Sequence, residues 1–477
     1  YADRLPGAFD RASIALASTA IVMVLRAILT RPRTLFRVRA LGQDRWATRQ
    51  DMQAAGLFAG TGVVVGEYRG VPLVYDGPEH QLVSGASRSG KGVGHVVPTL
   101  LTWPRSALVY DIKNELYPLT AGWRSKLGPT LCFNPTRRES AHFNPLLEIR
   151  KGAQEIRDAQ NVAEMLVNPD GGKKTLDIWD TKAAELLVAV ILHVLYSAPQ
   201  GQKHLGTVRD KLLSIEHTCR EMAETQHLLE RRTGERYPHP EVARGTKYLL
   251  SRYPKFRDSV TATAGSYLTL YADPIIAEMT SASDFRLSDL MCAPAPVSLY
   301  LQPPPSDAPR LRPLVRLLLS QVCRALMEDL SKDHLGRDKR HRLLLLIDEF
   351  PTLGKLEFFS LNMRQMAGYG LKAHLVVQSF NDILDAYGPT NTIIDNCHLL
   401  TAFASADTTT CQRISQMSGT VTEYRPSYSE PRPRWGFGRR SVNYTEQVRP
   451  LLQPGEVREL SNDDQLLFVT GHKPMRV

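Results

Sequence analysis

Apolar residues along this chain follow two rhythms. Short runs that are apolar at nearly every position recur at 80–85 (HQLVSG), 106–113 (SALVYDIK), 130–135 (TLCFNP), 297–304 (VSLYLQPP), 342–350 (RLLLLIDEF), 371–380 (LKAHLVVQSF) and 398–405 (HLLTAFAS). Runs this short, without polar alternation, predict strands buried on both faces of a mostly parallel sheet. Stretches with helical spacing, such as 309–330, supply the crossovers. Ahead of them, 63–77 predicts two strands that turn at Arg69-Gly70. The fold class is α/β. From about 146 to 285 the rhythm changes, and charged segments of helical period replace the strand-like runs. The clearest of these, 207–232, predicts a helix within an all-α domain inserted into the α/β domain.

Two segments are apolar enough to raise the question of a membrane. Residues 12–29 (ASIALASTAIVMVLRAIL) carry one late charge, Arg26, and are followed by Arg31, Arg33, Arg37 and Arg39. About 17–25 apolar residues span a bilayer, and a trailing cluster of arginines marks the cytoplasmic side. A transmembrane helix is therefore expected here, with everything after residue 40 cytoplasmic. Residues 181–197 are interrupted by Lys182, Glu185 and His193 and predict a core helix instead.

Composition adds less. The 477 residues carry 43% hydrophobic and 23% charged positions, which excludes wholesale disorder. A formal net charge of +10 fits a phosphate-bearing partner, nucleic acid or anionic lipid. The six cysteines form no C-x-x-C pair, so reduced core thiols are expected, and no metal beyond one arriving with a nucleotide.

The chemistry begins at residues 84–95, SGASRSGKGVGH. Gly85, Ala86, Ser87, Arg88, Ser89, Gly90, Lys91 and Gly92 have the spacing of a phosphate-binding loop, placed between a strand and a helix. Glycines there let backbone N–H groups close on phosphate oxygens, and Lys91 adds a point charge. Gly92 stands where the usual pattern has the Ser or Thr that ligates Mg²⁺, which leaves Ser89, Thr99 or water as its replacement. A second element supports the first: LLLLIDEF ends a strand on Asp348, expected to hold Mg²⁺, and Glu349, expected to act as general base or to orient the attacking water. Gln378 and Asp111 close two more strands and are expected to converge with Lys91 and Glu349. ATP with Mg²⁺ is the expected ligand.

GASRSGKGVG, VYDIKNEL, FNPL, IDEFPTLGKLE, GYGLKAHLVVQS and the closing RPLLQPGEVRELSNDDQLLFVTGHKP occur in order, and with LGQDRWAT they resemble the TraG-type coupling ATPases of conjugation and type IV secretion over residues 40–474. The resemblance implies an inner-membrane, RecA-like ATPase that forms a hexameric ring and hands relaxase-bound single-stranded DNA, or protein effectors, to a secretion channel. The same motor moving DNA within the cell, and a docking receptor with a vestigial ATPase, are the alternatives. The expected domains are a membrane segment at 1–40, a nucleotide-binding domain in two parts at 41–145 and 286–477, and the all-α insertion at 146–285. The family's loop commonly ends S-G-K-G, so Gly92 matches it, whereas Asn114 in DIKNEL stands where the family usually has Gly. Asn tolerates the left-handed backbone such a turn needs. The resemblance also implies an arginine finger, with Arg364 the candidate and Arg316 and Arg312 the alternatives. Single-stranded DNA is expected in the ring channel, and the Arg- and aromatic-rich stretch 424–441, with Arg432, Arg434, Trp435, Arg439 and Arg440, has the chemistry to grip it. A surface hairpin is the other reading of that stretch.

Overall fold

The structure is a computed structural model that describes residues 17–19, 21–23, 44–168, 175–230, 232–429 and 441–477. Two compact bodies result, one of residues 44–421 with 449–477 and one of 1–43 with 422–448.

The larger body starts with the helix Arg49–Ala54, closed at its N-terminus by a reciprocal capping box between Thr48 and Asp51. Strands β1 (Val63–Tyr68) and β2 (Val71–Tyr75) form an antiparallel hairpin. Its turn uses the predicted pair, Arg69 at φ 52° and Gly70 at φ 79°, the left-handed values a tight hairpin turn needs. Next come β3 (His80–Ser84), β4 (Ser106–Tyr110) and β5 (Thr130–Phe133). After the helical region, whose described residues hold only the two-residue strands β6 (Leu228–Leu229) and β7 (Arg236–Tyr237), follow β8 (Ser298–Leu301), β9 (Leu343–Ile347), β10 (Leu371–Val377) and β11 (Cys397–Ala402). The seven apolar runs are the seven parallel strands of one sheet.

Strands β12 (Thr420–Ser429) and β13 (Ser441–Pro450) pair with each other. Residues 424–429 are thus strand rather than open loop. The sheet is finished by β14 (Leu466–Val469), antiparallel to β11, and β15 (Met475–Arg476), giving the order β15-β14-β11-β3-β10-β9-β4-β8-β5.

The parallel strands are mostly apolar because both faces are covered. On β9, Leu343, Leu345 and Ile347 enter one core and Leu344 and Leu346 the other. The first core joins the sheet to the helical region; the second joins it to the β1–β2 hairpin and the helices Arg49–Ala54 and Val97–Thr102. Within the helical region, Ile178–Ser197 is the central element, buried without a break from Leu186 to Leu195. That is why its composition resembles a membrane span. Among the described residues no helix is long and apolar enough to cross a membrane. The segment 12–29, expected to span the membrane, lies mostly outside the described residues; of it, 17–19 and 21–23 are helical.

One helix expectation fails. The 207–232 stretch divides into Leu205–Leu213 and Ile215–Glu224, because Ser214 takes φ −121° and ψ 47° between them. Apolar periodicity continues across the break, so the pattern alone does not reveal it.

Candidate functional site

The loop after β3 is held by its own backbone. Gly85 N–H donates to Val377 O at 3.2 Å, and Ser89 N–H donates to Ala86 O at 3.2 Å. Arg88 (φ 64°) and Gly90 (φ 90°) are both left-handed, which turns successive N–H groups toward one point. A Cβ on Gly85 would come within 2.6 Å of Ser89 Oγ and 2.9 Å of Phe403, whereas Gly92 has open space around it. The following helix opens as a wide turn over Gly92–Val96 and becomes α-helical at Val97–Thr102, a local expansion often found at functional sites.

Lys91 is buried, and its ammonium donates to the carbonyls of Gly85, Val377 (3.2 Å) and Ala86 (3.4 Å). Burial pushes it below the ordinary lysine value; Lys113 adds to this, while Glu349 and Asp348 oppose it. Ser89 Oγ is buried with no partner. Thr99, the other stand-in for the missing loop hydroxyl, is spent elsewhere: its Oγ1 accepts from Val64 N–H at 3.0 Å beneath β1. Of the two side chains, only Ser89 is available for that role.

Strand β9 delivers the acids. Asp348 is buried, which pushes its carboxyl above the usual aspartate range against the pull of Lys113. Glu349 has φ 61° and ψ 54°, a conformation that costs a non-glycine residue about 1–2 kcal/mol. Burial tends to raise its carboxyl, but hydrogen bonds from Lys113 and Gln378 outweigh that and hold it below the ordinary glutamate value. Gln378 Nε2 reaches Glu349 Oε2 at 3.2 Å from the end of β10. Lys113 Nζ lies 2.7 Å from Glu349 Oε1 and 3.7 Å from Asp348 Oδ2.

Lys91, Asp348, Glu349 and Gln378 are therefore brought together at the carboxyl ends of adjacent strands. Asp111 is not a free member of the group. It is fully buried and accepts from the N–H groups of Glu115 (3.1 Å), Leu116 (3.1 Å) and Tyr117 (3.0 Å), and from Gln302 Nε2 at 2.7 Å, so it caps the helix Leu116–Arg124. Two residues later, Lys113 reaches the acids, and the sequence reading missed it although it lies inside DIKNEL. Asn114 takes φ 57°, as expected of the turn that aims it.

Arg316 is also spoken for: buried in the helix Ala308–Leu326, it donates to Leu353 O and Lys355 O, each at 2.5 Å. Arg312 is half-buried with its Nε unpaired, and Arg364 is exposed in the last turn of the helix Glu357–Met366. Arg432, Arg434, Trp435, Arg439 and Arg440 lie outside the described residues.

A glycine-lined loop after a parallel strand, with an acid pair and a glutamine on neighbouring strand ends, defines an α/β P-loop NTPase. Its residues fit a nucleotide: an unpartnered Ser89 hydroxyl, a lysine resting on loop carbonyls, and a close approach that admits only glycine at position 85. The family model described as type IV secretory system conjugative DNA transfer matches residues 45–477, and the chain belongs to that family. It is 37% identical to the conjugal transfer protein TraG of Escherichia coli over 454 residues, covering 87% of this chain and 70% of that protein. It is 30% identical to protein VirD4 of Agrobacterium fabrum (strain C58 / ATCC 33970), covering 97% and 68% respectively. Among solved structures, the bacterial conjugative coupling protein TrwBdeltaN70 superposes with TM-score 0.63 at 19% identity, covering 92% of each chain. TrwB in complex with ADP and Mg²⁺ gives 0.60 at 18% identity, covering 91% of this chain and 92% of that one.

Proposed function

We propose that this chain is an ATP hydrolase of the bacterial inner membrane that works as a homo-hexamer, receives relaxase-bound single-stranded DNA or a protein substrate, and drives its delivery into a type IV secretion channel. The observation that carries the reading is the convergence of Lys91, Asp348, Glu349 and Gln378 in a chain of the conjugative DNA transfer family.

Mg²⁺ supplies charge neutralisation at the phosphates, and Asp348 is the residue to hold it, with Ser89 Oγ a second oxygen within the loop. Backbone N–H groups of residues 85–92 bind phosphate oxygens, and Lys91 leaves its three carbonyl partners for them. Glu349 Oε2, aimed by Gln378, accepts a proton from the attacking water. Arg364, exposed on its helix, is available to reach the site of a neighbouring ring subunit. The 146–285 helical insertion is the substrate-docking unit, and Arg432, Arg434, Trp435, Arg439 and Arg440 contact DNA. A helix over 12–29 anchors the chain; exposure of Ile21, Val22 and Met23 supports that reading.

ATP hydrolysis measured with and without single-stranded DNA tests the whole. Stimulation by DNA, abolished in Lys91→Ala, is expected. A rate indifferent to DNA, with transfer intact in Lys91→Ala, would sink the motor reading.

A further inference from the structure

Lys113 has no part in the scheme above, yet it makes the closest contact to the acid pair. Its side chain is about half exposed, on the turn Asp111–Asn114 whose last residue is left-handed. Its ammonium bridges Glu349 Oε1 at 2.7 Å and Asp348 Oδ2 at 3.7 Å. That is where a cation shared by the two carboxylates has to stand. Lys91, the other nearby cation, is bound to loop carbonyls.

We propose that Lys113 is a positioning residue that acts as a tethered stand-in for the divalent metal: it holds Asp348 and Glu349 in the nucleotide-free protein and yields only when phosphates arrive to take its charge. The inference rests on the nucleotide-site reading above. Its physical basis is like-charge exclusion. A divalent ion approaching Asp348 alone meets an ammonium within 4 Å of its intended ligand and gains nothing that compensates for moving it. Nucleotide phosphates supply that compensation. Metal therefore enters with nucleotide and not before it.

The test is Mn²⁺ binding to the full chain, read by the electron paramagnetic resonance signal of free Mn²⁺. The wild type is expected to bind Mn²⁺ with a non-hydrolysable ATP analogue and to show little binding without it. Lys113→Met and Lys113→Gln should bind Mn²⁺ without nucleotide about tenfold or more tightly than the wild type. Lys113→Arg should restore exclusion, and adding Asp348→Asn to Lys113→Met should remove the gain. Binding of a fluorescent ATP analogue, read by its anisotropy, shows that each single variant is folded. Variants that bind Mn²⁺ alone no better than the wild type, while all bind it with the analogue, would overturn the role of Lys113 and leave the nucleotide site standing. A wild type that takes up no Mn²⁺ even with the analogue would overturn both.

Discussion

Two glycines of the phosphate loop look alike in sequence and differ in what they require. Gly92 has no close neighbour and an ordinary backbone, so Gly92→Ser is expected to change nucleotide affinity little, within about threefold on a fluorescent ATP analogue. Gly90 has equal space but φ 90°, and Gly90→Ala should destabilise the loop by about 1–2 kcal/mol. A tenfold or greater loss of affinity is expected there. If Gly92→Ser abolished binding as well, the loop would need that glycine for backbone shape. The sequence displays Asp348, Glu349 and Gln378 because each follows an apolar strand directly, and Lys91 because it closes a glycine-spaced loop behind one. Lys113 is hidden because its reach depends on the turn at Asn114, and Asp111 misleads because an acid at a strand end can serve a helix as well as a ligand.

At the scale of elements, Arg316 ties the helix Ala308–Leu326 to the segment after the acid pair. Arg316→Met takes the guanidinium donors from one buried and one part-buried carbonyl, so a loss of about 2–4 kcal/mol in urea unfolding is expected. An unchanged unfolding midpoint would mean that the segment finds other donors. The helical region holds a second buried network. His193 Nδ1 and His227 Nε2 are 3.0 Å apart, His227 Nδ1 accepts from His239 N–H at 3.2 Å, and His239 Nε2 meets Glu155 at 3.0 Å. Glu221, with Lys211 beside it, flanks His193, and Tyr196 bonds Glu155.

Burial, helped by the neighbouring histidines, lowers His227 from 6.5 to about 4, and burial also lowers His193. The unfolded chain therefore binds more protons than the folded one between these values. This part of the stability is complete above about pH 6.5 and is lost as pH falls toward about 4. Thermal melting followed over that interval should show the decline, and His227→Asn should flatten it. Such polar networks, and the break at Ser214, leave no trace in an apolar periodicity that runs on undisturbed.

At the scale of the molecule, the +10 charge and the family suit a single-stranded DNA partner. Binding to unspecific single strands should weaken by about tenfold between about 50 and about 200 mM salt; affinity indifferent to salt would speak against phosphate contacts. The parallel sheet is legible because each of its strands is a short, mostly apolar run without regular polar alternation. The strands β14 and β15 were not, since a short antiparallel edge resembles a loop in sequence.

The strand order also has a consequence for how the protein is made. β3, which carries the phosphate loop, lies between β10 and β11, and Ala373 N–H donates to His80 Nδ1 across 293 residues of chain. A ribosome adds about 5–20 residues per second, so this strand emerges roughly 15–60 s before either neighbour exists. During synthesis its apolar faces are open to solvent and to other chains. The element that defines the nucleotide site is thus among the first made and the last housed, and this protein's demand for chaperones should be greatest while the segment from β4 to β9 is still being translated.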